Sequence, residues 1–251
     1  MASGGAAGLD IHRSGQGPPV VFIHGSIVGA EVTWRRQQPL GERWTLVVAN
    51  RPGFGASPPL ARGDFEAEAP LFAELLGDGA HLVGHSYGAV IALLAAALRP
   101  EAVRSLTVSE PGALRLAGTP GGEKLIADGE LLYAARGSLS PDDFLRMFRS
   151  GTGSSRETPE DLPDELRRGA ELAMRERPPW EAEIPLDALA AAGFPALAIS
   201  GGHSPVFEAI CDNIAERLGG ERAVIQGKGH NIPATGDPYN ERLARFLAES
   251  G

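Results

Sequence analysis

Residues 81–100 read HLVGHSYGAVIALLAAALRP. The stretch runs from a short apolar strand, His81 to Gly84, through the turn Gly84-His85-Ser86-Tyr87-Gly88 into an apolar helix, Ala89 to Leu98. A Gly-x-Ser-x-Gly turn between a strand and a helix is the setting in which a serine becomes a nucleophile. So tight a turn is expected to strain the backbone at Ser86. Its hydroxyl then stands clear at the sheet edge, with a helix N-terminus behind it. Gly84 and Gly88 are expected where a side chain would strike the neighbouring helix or strand. In a chain with 33 glycines the five-residue pattern alone arises by chance about once in four such sequences. The strand before it and the helix after it therefore carry the reading. An ordinary glycine-rich turn with a solvated serine is the alternative.

Outward from this stretch, apolar runs of strand length recur at Val20 to His24, Leu46 to Ala49, Leu106 to Val108, Ala196 to Ser200 and Ala223 to Ile225. Continuous Val/Ile/Leu runs suggest strands buried on both faces. The fold class expected is α/β, with a mainly parallel, doubly wound sheet and helices on each side. Helices are expected at Glu66–Leu76, Pro205–Leu218 and Pro238–Leu247, the last with Asp237 as N-cap. The alternation breaks between Pro111 and Phe194, where helical patterns lie around Glu123–Arg136, Pro141–Arg149 and Pro163–Arg175. A Gly/Ser-rich piece at 150–155 reads as a loop. The expected division is a core of residues 1–110 and 195–251 with a helical cap, or lid, at 111–194. A separate helical domain away from the site is the alternative.

Composition narrows the function. The 251 residues carry a formal net charge of −9, so neither a nucleic-acid backbone nor an anionic membrane is expected as partner. Cys211 is the single cysteine. It sits in an amphipathic segment and reads as a small core residue, and no intrachain disulfide can form. No apolar run reaches 18 residues, and the first residues lack the basic and apolar segments of a secretory signal. A cytoplasmic location is expected, with no metal site and no phosphate-binding loop.

A serine alcohol needs a base, and the base an orienting acid. Of six histidines, His12 precedes the core, His24 ends a strand, and His81 and His85 flank the elbow. His230 lies in a glycine-flanked loop after the last strand, where the order Ser…acid…His puts the base. His203 falls one loop earlier and is expected near the site mouth, touching substrate. The loop after Ala196–Ser200, Gly201-Gly202-His203-Ser204-Pro205, is the usual place for the acid and holds no carboxylate. Asp212 is embedded in a helix. Glu110 follows the strand Leu106–Val108 directly and is the acid favoured, against an exposed strand-end role. The amide of Tyr87 is expected to be one oxyanion donor. The amide of Ser26, in the turn His24-Gly25-Ser26-Ile27-Val28-Gly29, is expected to be the second, with Ile27 as the other candidate.

The His24-Gly25 turn, the loop Arg51-Pro52-Gly53-Phe54-Gly55-Ala56-Ser57, the elbow and the Gly229-His230 loop occur in one order over nearly the whole chain. In these residues the chain resembles the α/β-hydrolase superfamily. The resemblance implies a sheet of about eight strands and a cap inserted after the sixth, where 111–194 lies. The N-terminus has room for one strand before Val20, so the family's first strand is expected to be missing. An acid after the sixth strand matches a subset of the family that includes some dehalogenases and lactone hydrolases. The dehalogenases and epoxide hydrolases of this fold use an aspartate where this chain has Ser86.

The function expected is a cofactor-independent serine hydrolase acting on an ester or lactone of a small organic molecule through an acyl-enzyme. Alternatives are a carbon–carbon bond hydrolase, a perhydrolase or haloperoxidase-type activity, and a ligand receptor on a hydrolase scaffold. The substrate-binding candidates are His24, His203, Tyr133, Phe148 and Trp180, with Phe144 beside them. The cap aromatics are equally readable as the cap's own core. A monomer or homodimer is expected.

Overall fold

A computed structural model of the protein describes residues 8–153 and 161–250. Seven strands form one sheet: β1 Ile11–Gly15, β2 Pro19–Ile23, β3 Thr45–Ala49, β4 Ala80–His85, β5 Val103–Ser109, β6 Ala196–Ser200 and β7 Glu221–Val224. Their order is β1-β3-β2-β4-β5-β6-β7, and all neighbours are parallel except β1 and β3. The helices are α1 Ala30–Thr33, α2 Phe65–Leu75, α3 Tyr87–Leu98, α4 Pro120–Ala135, α5 Pro141–Thr152, α6 Asp164–Ala173, α7 Leu186–Ala192, α8 Pro205–Leu218 and α9 Asp237–Glu249.

The central strands are buried on both faces, so their residues divide by parity. Val21, Ile23 and Leu82 face one cluster with Phe72, Ile91, Leu189 and Ile210. Val20, Phe22 and Val83 face the other with Trp34, Leu243 and Phe246. Cys211 is a buried core residue of the first cluster, as its amphipathic setting implied. Strand order reverses between β2 and β4. In open α/β sheets that reversal leaves a crevice at the carboxyl ends of the two diverging strands. The turn after β2 and the serine elbow after β4 both open onto it.

β1, which precedes Val20, has no apolar signature because four of its five residues are exposed at the sheet edge. Two local expectations need correction. Asp237 is the first residue of α9 rather than its cap, because Gly236 takes the cap position with φ 74°. The loop expected from residue 150 begins later. Ser150 to Thr152 complete α5, and Gly153, at φ 66°, closes it by donating to the Arg149 and Ser150 carbonyls. Ser154 and Ser155 lie outside the described residues.

Between β5 and β6 the chain inserts α4, α5 and α6 before α7 returns it to the sheet. α7 packs on α3 and α8, on the flank of the sheet. Among the described residues no helix is long and apolar enough to cross a membrane.

Candidate active site

β4 delivers Ser86 to the N-terminal end of α3 with φ 55° and ψ −118°. Such a conformation is strained for a non-glycine residue and persists only where its surroundings enforce it. The enforcement is visible. The Ser86 N–H donates to the Ser109 carbonyl at 2.9 Å, and the Ser86 carbonyl accepts from Gly112 N–H at 3.2 Å. A Cβ on Gly84 would lie 2.5 Å from the Gly88 oxygen, and one on Gly88 would lie 2.3 Å from the His24 oxygen. Both glycines are required by contact, as the sequence implied.

A chain of long-range partners ends on that hydroxyl. Ser86 Oγ lies 2.9 Å from His230 Nε2, and His230 Nδ1 lies 3.0 Å from Glu110 Oε2. With Nδ1–H donating to the carboxylate, Nε2 carries the lone pair that faces the hydroxyl. The second Glu110 oxygen accepts the Gly201 N–H at 2.5 Å. Glu110 also has positive φ, 49°, which turns its side chain inward off the end of β5. It is fully buried, not an exposed strand end. Asp212 is engaged elsewhere, accepting from Arg222 Nε at 2.7 Å on the surface.

Burial pushes the Glu110 carboxyl up, to about 7, against the pull of His203 and the Gly201 amide. Burial, reinforced by His203, pushes the His230 imidazole down, to about 3. An imidazole held so low is neutral near pH 7 and able to accept a proton.

His85 flanks the elbow in sequence, yet it reaches the His230 loop. Its Nε2–H donates to the His230 carbonyl at 2.8 Å. Nothing in the local pattern signals this, because the partner is 145 positions away.

Ser86, His230, Tyr87, Ser26 and Gly112 line a cavity of about 640 Å³ whose far wall is made by the insertion, through Leu125, Leu132, Tyr133, Phe148 and Trp180. Tyr133 and Trp180 line this wall and also pack on each other in the core, with ring centroids 5.4 Å apart. Phe144 does not line the cavity. It is fully buried against Tyr133 and Phe148, at centroid distances of 5.7 and 5.9 Å.

Two other expected substrate contacts are displaced. His24 is fully buried off the cavity, and both ring nitrogens are occupied. Nδ1 donates to the Gly25 carbonyl at 2.8 Å and Nε2 accepts the Arg51 N–H at 2.9 Å. The ring shapes the turn and is not free to meet a substrate. His203 lies behind the Ser86 chain, not in the cavity. Its Nε2 donates to the Thr152 carbonyl at 3.1 Å, and its Nδ1 is 3.8 Å from Glu110 Oε1.

The turn after β2 meets the elbow closely. A Cβ on Gly25 would sit 2.9 Å from Ser86 Cβ. Ile27 is held at φ 76°, a genuine outlier for a β-branched residue. The adjoining Ala30 N–H is fixed by Asn50 Oδ1 at 2.9 Å. Beneath the turn lies a fully buried guanidinium. Arg51 donates to both Glu68 oxygens, at 2.8 and 3.0 Å, and to the Gly25 carbonyl at 3.0 Å. Burial opposes its charge, but Glu68 and Glu176 outweigh that cost and raise its pKa.

Among the described residues one group of metal-ligating types lies close together: Glu110, His203 and His230, with ligand atoms within 4.8 Å of one another. A cation there would compete with the His230 Nδ1–H for Glu110.

His24, His81, His85 and His230 are all buried, and burial lowers the pKa of each, to about 4 for His81 and His85. The folded state holds them neutral, whereas the unfolded chain takes up their protons as pH falls through about 6.5. Stability is therefore present above that pH and lost below it, by up to about 1.4 kcal/mol per pH unit for each proton. Glu110, raised to about 7, and Glu68, also raised by burial, work in the opposite sense above their unfolded values, which offsets up to two of the four. The urea midpoint should fall between about pH 7.5 and about pH 5. Equal midpoints would mean that these rings are charged in the folded state.

A model of the alpha/beta hydrolase family matches residues 20–248. The chain is 36% identical over 186 residues to a pimeloyl-[acyl-carrier protein] methyl ester esterase of Methylococcus capsulatus, covering 69% of this chain and 66% of that protein. It is 29% identical over 254 residues to the Aeromonas hydrophila protein of the same name, covering 95% and 99%. The match spans about two thirds of the Methylococcus protein and 64% of the Chromobacterium violaceum one. An esterase structure from Exiguobacterium antarcticum superposes with a TM-score of 0.75 at 20% identity, covering 96% of this chain and 95% of that one. At that identity the likeness concerns the fold. Sheet order, elbow and a family match across nearly the whole chain agree: the chain belongs to the alpha/beta hydrolase family.

Proposed function

We propose that this protein is a serine hydrolase that cleaves an ester of a small organic molecule, open-chain or lactone, through an acyl-enzyme and without a cofactor. The observation that carries the reading is the hydrogen-bonded chain Ser86–His230–Glu110, which opens on a largely apolar cavity. Ser86 Oγ attacks the ester carbonyl while His230 Nε2 takes its proton. The imidazolium then protonates the departing alcohol. Glu110 fixes the Nδ1–H tautomer and stabilises the cation. Water, deprotonated by His230, releases the acid. The amides of Tyr87 and Ser26 receive the oxyanion, each contributing on the order of 3 kcal/mol. Tyr87 stands at the start of α3, where N–H groups have no partner within the helix and the dipole favours negative charge.

The esterase names of the relatives support an ester over a carbon–carbon bond. Within the span 111–194 the part before α7 serves as the cap, supported by its share of the cavity wall. One buried, unpaired cysteine fits a cytoplasmic location. Turnover of a p-nitrophenyl ester series, with mass-spectrometric mapping of a fluorophosphonate adduct, tests the reading. Hydrolysis with the adduct on Ser86 is expected. An inert protein, or an adduct elsewhere, would overturn it.

Acyl selectivity should depend on Gly129. This glycine sits inside α4, where it costs roughly 1 kcal/mol relative to alanine. A Cβ there would lie 2.5 Å from the Trp180 ring. Gly129→Ala is expected to displace Trp180 into the cavity and lower kcat/KM for a long acyl ester by about tenfold, while acetate ester turnover holds. Equal losses for short and long esters would show that Gly129 does not shape the acyl pocket.

A further inference from the structure

Among the described residues the insertion contributes one charged side chain to the interior of the core, and it reaches the turn that carries Ser26. Glu176 follows α6 and is 2% exposed. Its Oε2 accepts the Ser26 hydroxyl at 2.5 Å, and its Oε1 pairs with Arg51 Nη2 at 2.8 Å. Arg51 in turn holds the Gly25 carbonyl. One carboxylate from the insertion thus grips two consecutive residues of the turn, directly at Ser26 and through Arg51 at Gly25.

Two further contacts fix this end of the insertion. Glu176 forms a parallel bridge with Gly63, and Arg177 N–H donates to the Gly63 carbonyl at 2.7 Å. On α6, a Cβ at Gly169 would lie 1.6 Å from the Ile27 carbonyl oxygen, so only glycine lets the helix rest on the strained residue.

We infer that Glu176 is a positioning residue for catalysis: docking of the insertion, through the Glu176–Ser26 and Glu176–Arg51 contacts, aims the Ser26 amide at the oxyanion. The inference rests on the proposed role of the Ser26 amide. The charge balance of the cluster explains why a carboxylate is kept in so dry a place. Arg51 is already neutralised by Glu68, so Glu176 is surplus to the pairing of the guanidinium. Its distinct contact is the hydroxyl of Ser26. A buried carboxylate with no further duty would be costly to keep.

The same surplus makes the test feasible. Removing the Glu176 charge leaves Arg51 and Glu68 balanced, so the fold should tolerate it. Glu176→Gln retains an oxygen acceptor for the Ser26 hydroxyl, whereas Glu176→Ala and Ser26→Ala each break the contact. With a p-nitrophenyl ester, Glu176→Ala and Ser26→Ala should each lower kcat by about 10- to 100-fold, with KM changed less than about threefold. The double variant should be no worse than either single one. Glu176→Gln should stay within about threefold of the parent kcat. Thermal denaturation of each variant accompanies the kinetics. Unchanged kcat in Glu176→Ala would overturn the inference, whatever its melting temperature. So would losses in the two alanine variants that multiply, or a Glu176→Gln as impaired as Glu176→Ala. Ser86→Ala run in the same series separates the failures. If Ser86→Ala keeps full turnover, the hydrolase assignment fails. If Ser86→Ala is inactive and Glu176→Ala is not, only the positioning role fails.

Discussion

Replacing Ser86 with alanine should lower kcat on an activated ester by about 10⁴- to 10⁶-fold. In the proposed mechanism the hydrogen-bonded chain behind the hydroxyl serves one proton transfer, so without the oxygen His230 has no hydroxyl proton to take. What survives comes from the oxyanion donors and from binding alone. The variant should fold, because the conformation of residue 86 is enforced by backbone bonds to Ser109 and Gly112 and by the crowded glycines around it. It should no longer react with a fluorophosphonate. Undiminished labelling, or turnover within tenfold of the parent, would remove Ser86 from the chemistry.

Glu110→Gln is expected to lower kcat by about 10³- to 10⁴-fold with little change in melting temperature. The shape of the residue is kept, and one amide oxygen can still accept the Gly201 N–H. The amide nitrogen then faces His230 Nδ1 and donates to it. That forces the proton of the imidazole onto Nε2, against the Ser86 hydroxyl, where a lone pair is needed. Asp212→Asn is the matched control. Asp212 lies on the surface with Arg222, and its loss should leave kcat within about twofold of the parent. The reverse result would transfer the acid to the usual side of the site, after β6.

The readable parts of this molecule were those whose cause is local. The parallel core strands announced themselves because residues buried on both faces must all be apolar, as in Val20 to Ile23. The edge strand Ile11–Gly15 did not, because its side chains face solvent. Glu110 was legible by position, since it directly follows an apolar strand beside the elbow strand.

His24, His203, His85 and Glu176 show the boundary. His24 and His203 carry the right residue type near the right loops, yet each ring is consumed by hydrogen bonds to the backbone or stands behind Glu110. Whether a side chain turns toward a cavity depends on backbone torsions and on partners far along the chain. Sequence adjacency does not encode either. His85 and Glu176 leave no local signal for the same reason: their partners are 145 and 150 positions away.

By itself, then, the sequence determined the strand–turn–helix at Ser86, the apolar strands of the parallel core and the place of the insertion. Those follow from periodicity and turn chemistry within a few residues. Only the tertiary structure decided which imidazole reaches Ser86, that Glu110 turns inward at positive φ to meet it, and that Glu176 crosses from the insertion to grip Ser26. Those depend on how packing brings distant segments within 3 Å. At that range a small rotation separates a hydrogen bond from none.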